Sequence, residues 1–284
     1  LFNDPATIAS DRLDNLYVVD RGNQRIRRID RNGIITTIAG SGQTGFTGDG
    51  VPATQAAFNF PSGVAADNSG NLYIADRNNH RIRRVTPDGR ITTFAGTGVA
   101  GFGGDGGPAT GARLSGPYNV ATDAAGNVYI ADSNNNSVRR VNAQGIITTV
   151  AGTQRFGYSG DGGPATAATL TLPRSVAVDP AGGFYIADEI AFRIRRVGPD
   201  GIISTVAGNG LIRAFSEGSA ATQAYLNNPR GIWLAPDGKL YIADTENHYL
   251  RVVELATGRI FNLAGRGGGA FSGDRRPART AIIA

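Results

Sequence analysis

An aspartate and an arginine recur along the chain in register, and together they could form charge-assisted pairs. The aspartates end a short apolar stretch in every repeat: Asp20, Asp76, Asp132, Asp188 and Asp244. The arginines follow in the next stretch: Arg27, Arg83, Arg139, Arg195 and Arg251. Because every copy keeps both residues, we interpret the aspartates as structural, either capping the following loop or pairing with the arginine. A catalytic role would need one aspartate in an environment unlike the others.

Catalytic and metal-binding side chains are scarce. The chain has two histidines, His80 and His248, at the same position of two different repeats, and a zinc site needs three or more converging ligands. There is no cysteine, which excludes disulfides and thiolate metal sites. No Gly-x-Ser-x-Gly segment occurs either, so no serine nucleophile can be argued. The sequence therefore predicts no catalytic residues, no metal site and no cofactor.

A second series of acids lies in glycine-rich segments between the repeats. It comprises Asp49, Asp105, Asp161 and Asp274, with Glu217 at the fourth place. A calcium ion needs six to eight oxygen ligands, usually from several acids of one loop. One acid in each segment is poor provision, so we predict a role in a turn or a helix cap.

The elements that position these residues come from a repeat of 56 residues, marked by Tyr17, Tyr73, Tyr129, Tyr185 and Tyr241. Each repeat has four short apolar stretches, strands a to d, separated by turns such as the one at residues 87–89. Such stretches form an antiparallel meander. The sequence therefore predicts an all-β fold, a β-propeller of four-stranded antiparallel blades. Five blades fit the chain, and six blades with one missing from this chain is the alternative.

The repeat also predicts the domain organisation. A single domain would cover residues 1–284, with blades over residues 5–40, 61–96, 117–152, 173–208 and 229–265, joined by glycine-rich inserts. In the second half of each insert we expect a short helix, with Pro108 at its first position. Leu114 would then pack back onto the sheet.

The residue after the proline of strand a varies most between repeats, as Ala6, Ser62, Tyr118, Arg174 and Arg230. In a propeller, strand a lines the central channel, and the inserts and the loops after strand b surround the same mouth. The candidate ligand-binding residues are therefore Tyr118, Asn119, Arg174, Arg230, Arg77 and Trp233. Guanidiniums beside an aromatic ring suit an acidic or carbohydrate ligand, although ordinary surface polarity explains them too. Trp233 replaces a small residue, and we expect it to plug the channel rather than to form a stacking platform.

Three segments of the second repeat, residues 61–67, 70–76 and 78–85, resemble the NHL repeat pattern of Pro-x-Gly-Val-Ala-x-Asp, Gly-Asn-x-Tyr-x-Ala-Asp and Asn-x-Arg-Ile. The inserts at residues 104–110 and 160–166 resemble those of bacterial NHL proteins and of the teneurin NHL domain. The resemblance implies a propeller used mostly for binding and assembly. Some members of the family bind RNA on a basic face, and a few relatives are lyases with a metal in the channel.

The basic residues of the chain allow two interpretations. The net charge is +5, and Lys239 is the one lysine among 28 basic residues. The arginines could form a ladder inside the fold, or they could bind a polyanion. No apolar run approaches the roughly 20 residues that span a bilayer, so we expect no membrane insertion.

We therefore predict a non-enzymatic binding or scaffold propeller from a bacterial secreted or cell-envelope protein. Its partner would be a protein, or a carbohydrate or acidic ligand, on the insert-bearing face. The alternatives are a metal-dependent lyase or hydrolase with a site in the channel, and a propeller that binds RNA or another polyanion, of which nucleic acid is not favoured.

Overall fold

The computed structural model describes residues 1–212, 217–268, 272–273, 275 and 277–283. Within these residues, the chain forms five four-stranded antiparallel sheets, and the strands of each sheet follow sequence order. The fold is an all-β, five-bladed propeller, which confirms the predicted fold class and the number of blades. The blades belong to two compact units, residues 1–150 and residues 151–284.

Every blade starts at or just after a proline and ends at an alanine. The strands of blade 1 are β1 (Pro5–Ser10), β2 (Leu16–Asp20), β3 (Arg25–Ile29) and β4 (Ile35–Ala39). Those of blade 2 are β5 (Pro61–Ala66), β6 (Leu72–Asp76), β7 (Arg81–Val85) and β8 (Ile91–Ala95). Those of blade 3 are β9 (Asn119–Thr122), β10 (Val128–Asp132), β11 (Ser137–Val141) and β12 (Ile147–Ala151). Those of blade 4 are β13 (Pro173–Val178), β14 (Phe184–Asp188), β15 (Arg193–Val197) and β16 (Ile203–Ala207). Those of blade 5 are β17 (Pro229–Leu234), β18 (Lys239–Asp244), β19 (Tyr249–Glu254) and β20 (Arg259–Ala264).

Short 3₁₀ helices occupy two recurring places among the described residues. One set follows the second strand of a blade: Arg21–Asn23, Arg77–Asn79, Ser133–Asn135 and Thr245–Asn247. The other set lies in the inserts: Ala53–Gln55, Ala109–Gly111, Ala165–Ala167, Ala221–Gln223 and Ala278–Thr280. Pro108 precedes the second of these with φ −59° and ψ 133°. Its predicted place inside the helix is therefore wrong by one residue, because this ψ is extended. No helix in the described part of the chain is long and apolar enough to cross a membrane.

The inserts are numbered by the blade that they follow: insert 1 (40–60), insert 2 (96–116), insert 3 (152–172), insert 4 (208–228) and insert 5 (265–284). Insert 2 packs against blade 3, where Ala109, Ala112 and Leu114 join one buried apolar cluster with Val128 and Ile147. The backbone seals this junction, because Ala109 N donates to the Gly145 carbonyl at 2.8 Å and Ile147 N donates to the Gly107 carbonyl at 3.0 Å. Leu114 thus packs onto the sheet of the following blade, which makes the insert part of the junction between neighbouring blades.

Candidate functional site

The aspartate that ends the second strand is fully buried in every blade. In blade 3 this residue is Asp132, and it contacts three groups. Asp132 accepts hydrogen bonds from the Ser115 backbone N–H at 2.7 Å and from Asn135 Nδ2 at 2.7 Å. Its Oδ2 lies 3.6 Å from Arg139 Nη1. The same arrangement recurs around Asp20, Asp76 and Asp244. These contacts are of the structural kind that the repeat predicts, since each one fixes a loop or an arginine of the fold.

Burial dominates the electrostatics of these aspartates. Loss of solvent raises the pKa of Asp76 to about 6 and the pKa of Asp132 and of Asp188 to about 7. The backbone N–H donors and the neighbouring arginines act in the opposite direction and offset part of this cost. Because the pKa is raised at Asp244 as well as at Asp76, Asp132 and Asp188, the shift marks a repeated structural position and does not single out a catalytic carboxylate.

In blades 2 to 4, the arginine of the third strand is held by a second acid, and this acid comes from the preceding insert. Arg195 is fully buried, and its Nη2 lies 2.5 Å from Asp161 Oδ1. Asp161 also accepts a hydrogen bond from Thr205 Oγ1 in β16 at 2.6 Å. Asp49 and Asp105 contact the corresponding arginine and threonine of blades 2 and 3.

Asp49, Asp105 and Asp161 lie in turns, as predicted, but the helix-cap alternative is wrong for them. No side-chain cap hydrogen bond forms at the 3₁₀ helices of inserts 1 to 3. The carboxylate reaches the next blade instead, because a buried guanidinium needs a counter-charge. Glu217, at the same place of insert 4, accepts a hydrogen bond from the Asn262 backbone N–H at 3.1 Å and lies 3.8 Å from Arg279 Nη1. Asp274 lies outside the described residues.

An aromatic ring from each of inserts 1 to 3 covers the same arginines. The Phe46 ring centroid lies 4.7 Å from Arg83 Cζ, that of Phe102 lies 4.6 Å from Arg139 Cζ, and that of Tyr158 lies 4.7 Å from Arg195 Cζ. A guanidinium over a ring face is attracted to it electrostatically. These arginines are thus enclosed between two acids and a ring, as the internal ladder interpretation expects.

Two of the predicted ligand-binding arginines, both in the second unit, meet at a buried glutamate that the sequence analysis did not connect with them. Glu189 accepts from Arg174 Nε at 2.5 Å and from Arg230 Nε at 2.6 Å, and it is almost completely buried. Arg230 also lies 3.3 Å from Glu246. The cluster therefore holds two positive and two negative charges. This balance removes the excess positive charge on which the prediction of an acidic ligand depended.

The other predicted residues make contacts of their own. In the first unit, Arg77 Cζ lies 5.2 Å from the Tyr118 ring centroid. Asn119 is buried in β9, and the Tyr118 carbonyl accepts from Ser62 Oγ at 2.7 Å. In the second unit, the Trp233 ring is exposed and packs on Tyr241, with ring centroids 5.4 Å apart. The exposed indole differs from the buried plug that we expected.

Exposed apolar side chains at the tips of the inserts were missed by the sequence analysis. Insert 2 exposes Val99, insert 3 exposes Phe156 with 71% of its surface accessible, and insert 4 exposes Leu211 and Ile212. These positions vary between repeats, since insert 1 has Gln43 and Thr44 there and insert 5 has two glycines. Loops held by a rigid scaffold often carry binding residues, and an exposed apolar group at a loop tip can contribute to a contact surface. Variation at a solvent-facing loop position was the signal that could have identified them.

The histidines do not assemble a site in the described structure. His80 closes the loop after β6 in a left-handed conformation, and its Nδ1 accepts from the Gly116 N–H at 3.1 Å. Burial lowers the pKa of His80. Within the described residues, no three His, Cys, Asp or Glu side chains are grouped as metal ligands would be.

Comparison with known proteins places this architecture in a family. The NHL repeat model matches residues 2–29, 58–85 and 226–253, and the Teneurin NHL domain model matches residues 100–159 and 156–216. Protein SUPPRESSOR OF QUENCHING 1, chloroplastic, from Arabidopsis thaliana is 29% identical over 281 residues, which cover 94% of this chain and 26% of that protein. Human Teneurin-4 is 33% identical over 220 residues, which cover 68% of this chain and 8% of that protein. The chain thus spans about a quarter of the first relative and less than a tenth of the second.

Solved structures share the fold at low sequence identity. The nidogen/laminin complex matches with a TM-score of 0.62 and 18% identity, over 90% of this chain and 79% of that one. Virginiamycin B lyase from Staphylococcus aureus matches with a TM-score of 0.56 and 14% identity, over 91% of this chain and 69% of that one. At these identities the likeness concerns the fold alone, and it extends to an enzyme as well as to a protein complex. The repeats, the matching family models and the blades together show that the chain belongs to the NHL-repeat family of β-propellers.

Proposed function

We propose that this chain is a non-enzymatic binding module and that it recognises a protein partner through the tips of inserts 3 and 4, which both belong to the second unit. The observation that carries the proposal is the exposure of Phe156, Leu211 and Ile212. Each of them replaces a smaller or more polar residue of another insert. Exposed apolar groups on loops held by a rigid scaffold are typical of protein-binding surfaces.

The chemistry of these tips favours a protein over a carbohydrate or an anion. Leu211 and Ile212 are aliphatic and cannot stack on a sugar, so Phe156 is the one aromatic ring among the three tip residues. The arginines of the candidate ligand set offer little free charge, because Arg174 and Arg230 share Glu189. A partner with an apolar patch would gain most from this surface, at roughly 25 cal/mol for each Å² of apolar area that it covers.

The two alternatives have weaker support. Binding of RNA or another polyanion would use free guanidiniums, but Arg83, Arg139, Arg195 and Arg251 are fully buried beside acids. A lyase or hydrolase is suggested by likeness of fold, which does not transfer an activity. A location outside the cytoplasm, in a secreted or cell-envelope protein, remains a prediction from the insert sequences.

The proposal can be tested with an unbiased peptide display library selected on the purified chain. We expect most independently selected peptides to bind a variant with Phe156→Ser and Ile212→Ser at least tenfold more weakly. The control is Leu13→Ser, because Leu13 is also an exposed apolar residue but lies in the turn between β1 and β2. The same three proteins would be applied to a glycan array.

The selection separates the possible surfaces. Peptides that keep their affinity for the double variant but lose it on Leu13→Ser would contradict the placement of the site. Glycan binding that is insensitive to the double variant, together with a failure to select any peptide, would overturn the choice of a protein partner.

A further inference from the structure

Arg193 contacts two inserts of the second unit. It begins β15, and its Cζ lies 3.7 Å from the centroid of the Tyr158 ring in insert 3. Its Nη2 donates to the Asn209 carbonyl of insert 4 at 2.7 Å. One guanidinium can make both contacts, because its planar face stacks on a ring while its edge carries N–H donors. Arg193 therefore joins the two inserts whose tips carry the exposed apolar residues of the proposed function.

The two groups that the guanidinium contacts are fixed within their own inserts. The Tyr158 hydroxyl donates to Asp161 Oδ2 at 2.7 Å, which holds the ring in place. The Asn209 backbone N–H donates to the Ala224 carbonyl at 2.9 Å, and its Nδ2 donates to the Gln223 carbonyl at 3.0 Å. Neither insert can therefore shift at this point without breaking several interactions.

Gly210 leaves the space that the guanidinium needs at insert 4. Its φ is +81°, which lies in the left-handed region that favours glycine. A Cβ at this position would overlap the Arg193 guanidinium, so a larger residue would push the guanidinium away from the insert. The residue type and the backbone conformation at this tip thus both fit the arginine.

The same arrangement occurs in the first unit. Arg81 begins β7, and its Cζ lies 4.0 Å from the centroid of the Phe46 ring in insert 1. Its Nη2 donates to the Thr97 carbonyl of insert 2 at 2.6 Å. A Cβ at Gly98 would overlap the Arg81 guanidinium, just as one at the corresponding glycine of insert 4 would overlap its arginine. The arrangement therefore recurs in the fold, and Arg81 provides a matched control for Arg193.

The contacts of Arg193 hold the tips of inserts 3 and 4 beside one guanidinium. Phe156 is two residues from Tyr158, and Leu211 is two residues from Asn209. Two residues of extended chain span at most roughly 7 Å, so each tip residue lies within that distance, Cα to Cα, of a residue that Arg193 contacts. Because ordering a loop on binding costs free energy, loops that are fixed in advance bind a partner more tightly than loops that move.

We propose that Arg193 is a positioning residue, which holds the tips of inserts 3 and 4 as one preformed surface for a single protein segment with two apolar side chains. The segment contacts Phe156 on one tip and Leu211 or Ile212 on the other. The choice of partner rests on the proposed function, whereas the role of Arg193 in fixing the two tips does not. The arrangement of the tips and the binding of peptides are therefore measured separately.

Spin labels report the arrangement of the tips, because the chain has no cysteine of its own. Labels on Phe156→Cys and Leu211→Cys should give a narrow distance distribution by pulsed electron paramagnetic resonance. Arg193→Gln should broaden that distribution, and Arg81→Gln should leave it unchanged. Gly210→Ala disturbs the same contact without a change of the arginine and should broaden it as well. Circular dichroism would show that each variant is folded.

The first unit offers the reverse comparison. Thr44 and Val99 are the corresponding tip residues of inserts 1 and 2, and both are exposed. Labels on Thr44→Cys and Val99→Cys should respond to Arg81→Gln and not to Arg193→Gln. A distribution at the tips of inserts 3 and 4 that stays narrow in both Arg193→Gln and Gly210→Ala would overturn the role of the arginine.

Peptides selected on the wild-type chain test the preformed surface. Each peptide should lose affinity for Phe156→Ser and also for Ile212→Ser, and peptides that depend on one tip alone would overturn the single segment. Arg193→Gln should bind them about tenfold more weakly, because the cost of ordering the loops returns, and Arg81→Gln should bind them unchanged. Full affinity for Arg193→Gln, despite a broadened distribution, would overturn the need for a preformed surface. A failure to select any peptide would overturn the proposed function and the segment, and the distance distributions would still decide the role of Arg193.

Discussion

Asp188 and Arg195 face each other inside blade 4, with Oδ2 of the aspartate 3.8 Å from Nη1 of the arginine. This Oδ2 is buried and has no hydrogen-bond partner among the described residues. In blade 3 the corresponding oxygen of Asp132 accepts from Asn135, whereas blade 4 has Ala191 at that position. The loop after Asp188, where Ala191 replaces the asparagine, also has a different conformation. Its residues form turns, whereas the corresponding residues of blade 3 form a 3₁₀ helix.

Restoring the amide should stabilise blade 4. We expect Ala191→Asn to raise the free energy of unfolding by about 1 kcal/mol, since a buried acceptor gains its donor. Chemical denaturation at neutral pH would measure this. Ala191→Leu is the control of similar size without a donor, and equal stabilities of the two variants would contradict the hydrogen-bond explanation.

The buried aspartates should make the fold less stable as the pH rises. Burial raises the pKa of Asp132 and Asp188 to about 7 in the folded chain, whereas the unfolded chain releases these protons near pH ~4. The folded state therefore binds more protons between these values, and stability declines by up to about 1.4 kcal/mol per pH unit for each such group. Denaturation curves from pH 4 to pH 8 would measure the decline.

Asp132→Asn provides the control for that pH dependence, because the amide keeps the shape of the protonated acid and does not titrate. Its stability profile should be flatter than that of the wild-type chain by the contribution of one group. An unchanged profile would show that Asp132 is ionised throughout the range in the folded chain.

Removal of a buried arginine should cost more than removal of its partly exposed counterpart. Arg139 is fully buried between Asp132 and Asp105, and Arg139→Met leaves a buried acid without its counter-charge, at about 3 kcal/mol. Arg27→Met changes the same repeat position in blade 1, where the described residues place one buried acid beside a side chain that is 21% exposed. It should cost less, at about 2 kcal/mol, because the lost counter-charge is partly hydrated. Similar losses at both positions would indicate that the insert acid contributes nothing.

Glu189 should contribute strongly to the stability of the second unit. Glu189→Ala leaves Arg174 and Arg230 without the carboxylate that they share, and we expect a loss of about 3 kcal/mol on unfolding. Glu246 contacts Arg230 from an exposed position, so Glu246→Ala should cost no more than about 0.5 kcal/mol. Thermal and chemical denaturation of the two variants would separate these roles, and a mild effect at Glu189 would instead favour a ligand-facing role for it.

The sequence was sufficient to predict features that depend on the residue pattern of a single repeat. The four strands and the buried Leu114 follow from local patterns of apolar residues and turns that recur in every copy. The role of Asp105 could not be read in this way, because its partner Arg139 lies in the next repeat and a single acid in a glycine-rich loop is typical of a turn. The burial of Glu189 could not be predicted either, because it depends on two arginines that the chain brings in from different strands. The exposure of Phe156 needed the path of insert 3, which glycine-rich sequences do not specify.

The docking of inserts 1 to 4 on the blade that follows has a consequence for how such a chain can change in length. Each segment of the gene that encodes one repeat carries both a blade and the cover for its successor. A duplication or loss of a whole segment therefore rejoins an insert to a blade of matching design, and stability is altered mainly by the count of junctions. Recombination at any other period would separate cover from blade and expose apolar surface, so whole repeats are the natural unit of inheritance in this architecture.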